Sequence, residues 1–401
     1  MTTSTTSFLT YRASTPKFWL LAALGALVSA VGFIAALYME HKGHIVTGMN
    51  QQIVWGLPHV FAIFLIVSCS GVLNVASIGS VFGKTAYKRR AALSGLLSIA
   101  MLAGGLFVLM LDLGRADRVI IAATTYNFSS IFAWNVFLYS GMFAVVAVYL
   151  WVSMEKRMYG WVKPVGVAAF VWRLILTTGT GSIFGFLLSR SAYQSAIIAP
   201  MFIIMSFAWG LAVFLIVQEV MFRWNQLEVH PAIQKRMKNL LGVFLAAVFY
   251  FVVVYHLTNI YYAKQTAFER FILLDGGIYT LLFWVGWFLV GTVVPMAMIY
   301  GSNQPSRNSI FVASLLVVVG AFCQLYVFII GGEAFPIDIF PGWQITSTFS
   351  DGQIATYTPK LPEFLLGMGG IGVAFMITLI AVRVLKFLPE DDPVQPDAAH
   401  D

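Results

Sequence analysis

Cysteine is almost absent from this chain: Cys69 and Cys323 are the only two in 401 residues, and each lies in an apolar run. That count excludes a disulfide framework, a C-x-x-C redox motif and a ligand set for an iron–sulfur cluster. Histidine is scarce as well, with six residues. Charged side chains make up only 10%, against about 25% in soluble globular proteins, so the chain cannot furnish the polar shell of a soluble globule. A net charge of +7 would suggest nucleic acid in a soluble protein, but here the basic residues are first read as topology signals.

What is present is apolar: 59% of residues are hydrophobic and 15% aromatic. Runs long enough to cross a bilayer, about 20 residues each, occur at Phe18–Met39, Val54–Ile78, Ala91–Leu113, Ser129–Trp151, Pro164–Leu188, Pro200–Phe222, Leu240–Tyr262, Gly277–Tyr300, Ile310–Ile330 and Leu361–Leu385. Backbone groups in lipid must be satisfied within the segment, so these runs predict ten helices. The alternating segments of a β-barrel are absent. The first run is longer than a signal-peptide core and no small-residue cleavage site follows it, so it is read as a retained span.

Ten spans put both termini on one side. Of the 24 basic residues, 16 fall on the terminal side, 7 in the opposite loops, and Arg173 lies within a span. By the positive-inside rule both termini are expected in the cytoplasm, in a bacterial inner membrane. The expected organisation is a cytoplasmic tail over 1–17, a membrane domain over 18–389 with an outer-face loop at 331–360, and an acidic cytoplasmic tail over 390–401. In that loop, the segment 344–357 reads as a hairpin around Asp351-Gly352.

Ionisable or hydrogen-bonding residues at membrane depth are costly and therefore functional candidates. They gather toward the outer face: His59, Asp112, Arg115, Trp134, Asn135, Tyr139, His256 and Glu333. Each has a plain structural reading too: a helix-to-helix hydrogen bond for His59, a local partner in Asn259 for His256, an interfacial ion pair for Asp112 and Arg115. Trp55, Trp161 and Trp343 read as interface anchors. Arg173 either snorkels inward or serves an anionic-ligand path or a proton path, the latter with Thr177, Thr178, Glu219 and His256. Two cofactor readings stay open: His59 and His256 as axial ligands of one b-type haem, or the outer-face polar set as partners for a quinone headgroup.

The sequence resembles the NrfD/PsrC family of membrane quinone-interacting subunits, and within it the ten-span DsrP/HmcC-like branch. The resemblance rests on GMNQQIVWG at 48–56, LDLGRADR at 111–118, SIFAWN at 130–135, SRSAYQSAIIAP at 189–200, HLTNIY at 256–261, IGGEAFP at 330–336, FPG at 340–342, YTPKLPE at 357–363 and FLPE at 387–390. It implies an all-α integral membrane protein of two four-helix bundles, spans 2–5 and 6–9, flanked by spans 1 and 10. It also implies exchange of electrons between membrane quinone, menaquinone or ubiquinone, and a periplasmic ferredoxin-like iron–sulfur subunit (DsrO-like), with no haem or cluster bound by this chain. The other implied partners are a haem-b membrane subunit, a cytoplasmic iron–sulfur subunit and a multihaem cytochrome c, as in the DsrMKJOP-type complex of sulfur metabolism.

The sequence departs from its relatives at Asn135, where an acid is expected, at Thr177 and Thr178, where some carry histidine, and at Glu333, where glutamine is common. His59 thereby becomes the stronger local candidate. The expected chemistry is proton exchange by His59 or Asp112, headgroup orientation by Tyr139, Trp134 and Asn135, and an Arg115 that keeps Asp112 ionised. The rival readings are a secondary transporter, a single-haem cytochrome b and a proton-conducting scaffold.

Overall fold

A computed structural model of the chain describes residues 8–9, 15–227, 229–302, 306–337, 352–385 and 387–389. Among them are ten helices long and apolar enough to cross a membrane. They are numbered here α1 (Thr15–Lys42), α2 (Leu57–Ser80), α3 (Ala91–Leu111), α4 (Ile131–Met154), α5 (Val162–Gly185), α6 (Ile198–Trp224), α7 (Pro231–Tyr261), α8 (Ile278–Tyr300), α9 (Arg307–Ala334) and α10 (Leu361–Val384).

All ten expected spans are present. Their bounds differ most in α7, which begins at Pro231, well before the expected Leu240. Hydropathy locates only the apolar part, whereas the helix is set by Pro231 in its first turn and by the helix-forming Gln234–Lys238 that follows. Other starts are equally local: Pro58 opens α2, Pro362 opens α10, and the Ser306 side chain accepts the Ser309 N–H at 3.1 Å to cap α9.

Helices α2 to α5 pack on one another as one group and α6 to α9 as a second, while α1 lies on α10 and α10 on α3 and α2. The groups join where α2 and α5 meet α6, most closely at α2. There a Cβ on Gly71 would sit 1.6 Å from the Ser206 carbonyl oxygen, and one on Gly210 would sit 2.2 Å from the Gly71 backbone. Small residues allow this approach, and in lipid such van der Waals packing holds helices together. The result buries α2 almost completely, with Ile66, Val67 and Cys69 at 0% exposure.

The segment Phe8–Leu9 pairs antiparallel with Leu388–Pro389, so the described parts of both chain ends lie together on one side. The expected 344–357 hairpin lies outside the described residues up to 351, as do Trp343 and the tail from Glu390 onward.

Candidate functional site

The face remote from the termini carries an unusual set of buried polar side chains. His59 stands in the first turn of α2 and Asp112 caps the C-terminal end of α3. Packing of these two helices brings His59 Nδ1 to 2.8 Å from Asp112 Oδ2, with side-chain exposures of 15% and 1%. A helix C-terminus disfavours an anion, so the imidazole supplies the compensation that α3 does not. The contact is off-axis for a directed hydrogen bond: His59 Nδ1 and both Asp112 oxygens are buried without one. A carboxylate has about four lone-pair sites, so this one retains capacity to accept hydrogens.

The walls of the site come from distant segments. The Trp55 indole stacks on the His59 ring at 5.9 Å and meets Phe184 edge-on at 5.4 Å. The Trp55 backbone N–H donates to Glu333 Oε2 at 2.9 Å. Arg190 donates to the carbonyls of Glu333 at 2.9 Å and Gln52 at 2.6 Å, and Gln52 Nε2 donates to the Ala334 carbonyl. Gln52 Oε1 is buried without a partner. Arg190 thus binds the α5–α6 connection to the end of α9 and the approach to α2.

A second clamp fixes the start of α2. The Tyr357 hydroxyl accepts the Leu57 N–H at 2.7 Å and donates to Glu363 Oε1 at 2.6 Å, while Glu363 Oε2 accepts the N–H groups of Gly48 and Lys360. Burial, and then the Glu363 carboxylate, push the Tyr357 pKa upward, so it remains a neutral donor. Gly48 and Gly56 are required by closeness: a Cβ would lie 2.2 Å from the Thr358 carbonyl oxygen and 2.5 Å from Glu363 Oε1, respectively.

The remaining expected residues divide. Arg115 does not hold Asp112; its guanidinium grips Asp117 through Nε at 3.0 Å and Nη2 at 2.9 Å, in the open. The two-residue spacing within one turn makes that pair, whereas Asp112 turns inward. Trp134 is exposed and donates to the Phe128 carbonyl at 2.9 Å. Asn135 is buried and donates to the Gly179 carbonyl at 3.1 Å, and buried Tyr139 faces Thr180, so both bind α4 to α5.

Toward the other face, Arg173 is buried on α5 and donates to the Ser70 carbonyl and Asn74 Oδ1 at 3.0 and 2.8 Å, between the rings of Phe170 and Phe207. Thr177 joins it by donating to Ser70 Oγ at 2.7 Å. Thr178 is turned outward and bonds only its own helix. Glu219 is gripped by Arg223 at 2.6 Å and Arg307 at 3.1 Å. His256 pairs instead with Glu269, a residue that lies in none of the motifs legible in the sequence. Among the described residues no three His, Cys, Asp or Glu side chains converge as a metal site.

These features define an all-helical membrane protein with a buried, incompletely satisfied histidine–carboxylate pair at one face. The family model for polysulphide reductase, NrfD, matches residues 45–337, and the chain belongs to that family. It is similar to an Hdr-like menaquinol oxidoreductase integral membrane subunit of Archaeoglobus fulgidus, 27% identical with 93% of this chain and 94% of the relative covered. A putative membrane subunit of dimethyl sulfoxide reductase from Halobacterium salinarum is 26% identical, covering 94% and 92%. A selenate reductase subunit from Mesobacillus selenatarsenatis is 20% identical, covering 90% and 92%.

Proposed function

We propose that this chain is the membrane subunit through which an oxidoreductase complex exchanges electrons with the quinone pool, and that His59 and Asp112 hold the headgroup. The observation that carries this reading is the buried pair itself. Asp112 has two oxygens without a directed hydrogen bond and His59 has a ring nitrogen beyond its Asp112 contact. Hydroquinone hydroxyls need such acceptors, and quinone carbonyls need a donor that protonated His59 provides. Trp55 and Phe184 offer an apolar wall for the ring.

Oxidation of a hydroquinone releases two electrons and two protons. His59 accepts a proton from one hydroxyl while the Asp112 carboxylate stabilises the imidazolium; after that proton passes to solvent the second is taken the same way, and the two electrons leave to a partner; quinone reduction runs the same transfers backward. The two cysteines of this chain cannot ligate a cluster, so the partner supplies the redox centre. A periplasmic ferredoxin-like iron–sulfur subunit docked on the outer face fits the position of the pair. Membership of the DsrP/HmcC-like branch would add a haem-b subunit, a cytoplasmic iron–sulfur subunit and a multihaem cytochrome. The name of one relative, a menaquinol oxidoreductase membrane subunit, supports the quinone reading, and the names of the other two, subunits of reductases, support a place in an oxidoreductase complex.

The test is quinol-dependent turnover of the assembled complex carrying His59→Gln or Asp112→Asn. Loss of turnover with assembly intact supports the assignment; unchanged turnover and KM in both variants overturns it.

A further inference from the structure

The second helix group carries a histidine–carboxylate pair that closely matches the first. His256 Nδ1 lies 2.6 Å from Glu269 Oε2, with side-chain exposures of 14% and 2%, against 2.8 Å, 15% and 1% for His59 and Asp112. Each histidine is near the outer end of a long helix and faces an aromatic ring. For His256 that ring is Phe283 of α8, edge-on at 4.9 Å.

The second pair is more fully hydrogen-bonded than the first. Asn259 Nδ2 donates to Glu269 Oε1 at 2.7 Å, so the carboxylate accepts from both neighbours. In the neutral imidazole, with Nδ1 of His256 donating to that carboxylate, Nε2 is left as an acceptor. The amide orientation of Asn259 is set by the same carboxylate, which leaves its Oδ1, on a residue only 1% exposed, buried and without a partner. Both free polar atoms are hydrogen-bond acceptors. In that neutral state a ligand that brings hydroxyl hydrogens satisfies both.

The backbone around the pair is also distorted. Three π-helical segments, Phe271–Asp275, Leu282–Val293 and Val327–Gly331, begin just after Glu269, include Phe283, and include Phe328, which packs against Tyr255. Such segments are rare and often accompany functional sites. On the lipid side Leu257, Ile260 and Tyr261 are exposed, which suits an amphiphile with an apolar tail.

We infer that His256, Glu269 and Asn259 form a second membrane-facing site that binds the reduced, hydroquinone headgroup of a quinol in preference to the quinone. The inference rests on the quinone reading proposed above and concerns binding only. A diazirine-tailed dimethylnaphthohydroquinone, held reduced by dithionite, would be photolysed with the assembled complex in lipid nanodiscs and labelled peptides mapped by mass spectrometry. Two labelled regions are expected, one around His59 and Asp112 and one over 256–283. Labelling of the second should fall at least fivefold when the probe is oxidised, and should be lost in His256→Phe and Asn259→Leu. Excess unlabelled hydroquinone should displace it and added phosphatidylglycerol should not. Label at the first region alone, no redox preference, or displacement by the lipid overturns the second site and leaves the first standing. Label at the second alone overturns the first assignment, and label at neither overturns both.

Discussion

His59 and Asp112 face each other at 2.8 Å at the junction of α2 and α3, and neither Asp112 oxygen receives a directed hydrogen bond. Burying a carboxylate this way costs several kcal/mol, and the proposed headgroup site would use its free acceptor capacity. Replacing Asp112 by Asn keeps the shape and removes the charge. Quinol-dependent kcat/KM of the assembled complex is expected to fall about a hundredfold, the scale of a lost general acid–base group, with the same set of polypeptides on native gels.

Tyr357 acts through position. Its hydroxyl is the link between the Leu57 N–H and Glu363, and Tyr357→Phe leaves buried groups without partners at about 1–3 kcal/mol each. The melting temperature of the complex should drop, and kcat should fall by less than in Asp112→Asn. Equal kcat losses would make Tyr357 a direct participant in proton exchange.

Arg115→Ala should leave turnover unaltered, because the guanidinium serves Asp117 at an exposed surface. The Asp117 carboxyl is held below its usual range, first by hydrogen bonds from Arg115. What that pair contributes is therefore present at neutral pH and disappears as pH falls through the lowered pKa. Exposed pairs contribute little, so thermal melts of wild type and Arg115→Ala should coincide at pH 7. A large activity loss would restore Arg115 to the site.

Gly71→Leu should prevent the two helix groups from joining, since even a Cβ meets the Ser206 carbonyl oxygen at 1.6 Å. Gly160→Ala, with nothing within 4 Å of its Cβ, is the matched control. Size-exclusion profiles of fluorescently tagged chains should show a monodisperse peak for the control and its loss for Gly71→Leu.

Hydropathy alone was enough to locate the spans, because each must hide its backbone within one apolar helix. The partners of polar side chains were harder to read. Asp112 and Arg115 look paired at three residues apart, yet the helix ends at Leu111, just before them, and the chain sends one inward and the other toward Asp117. Trp134 shares a short motif with Asn135, but adjacent helical positions face different ways, so one is exposed and the other buried. Glu269 lies between spans and outside every motif; only the short helix Thr266–Arg270 that carries it brings it to His256. Gln52 and Arg190 lay in recognised motifs, but their shared role depends on α9, far along the chain.

The most direct test of the His59–Asp112 assignment is a cryo-EM map of the assembled complex with a short-tailed hydroquinone bound. The headgroup is expected within hydrogen-bonding distance of His59 or Asp112, its ring against Trp55. A headgroup seated elsewhere, for example between Tyr139 and Thr180, with the His59–Asp112 contact closed and untouched, would contradict it.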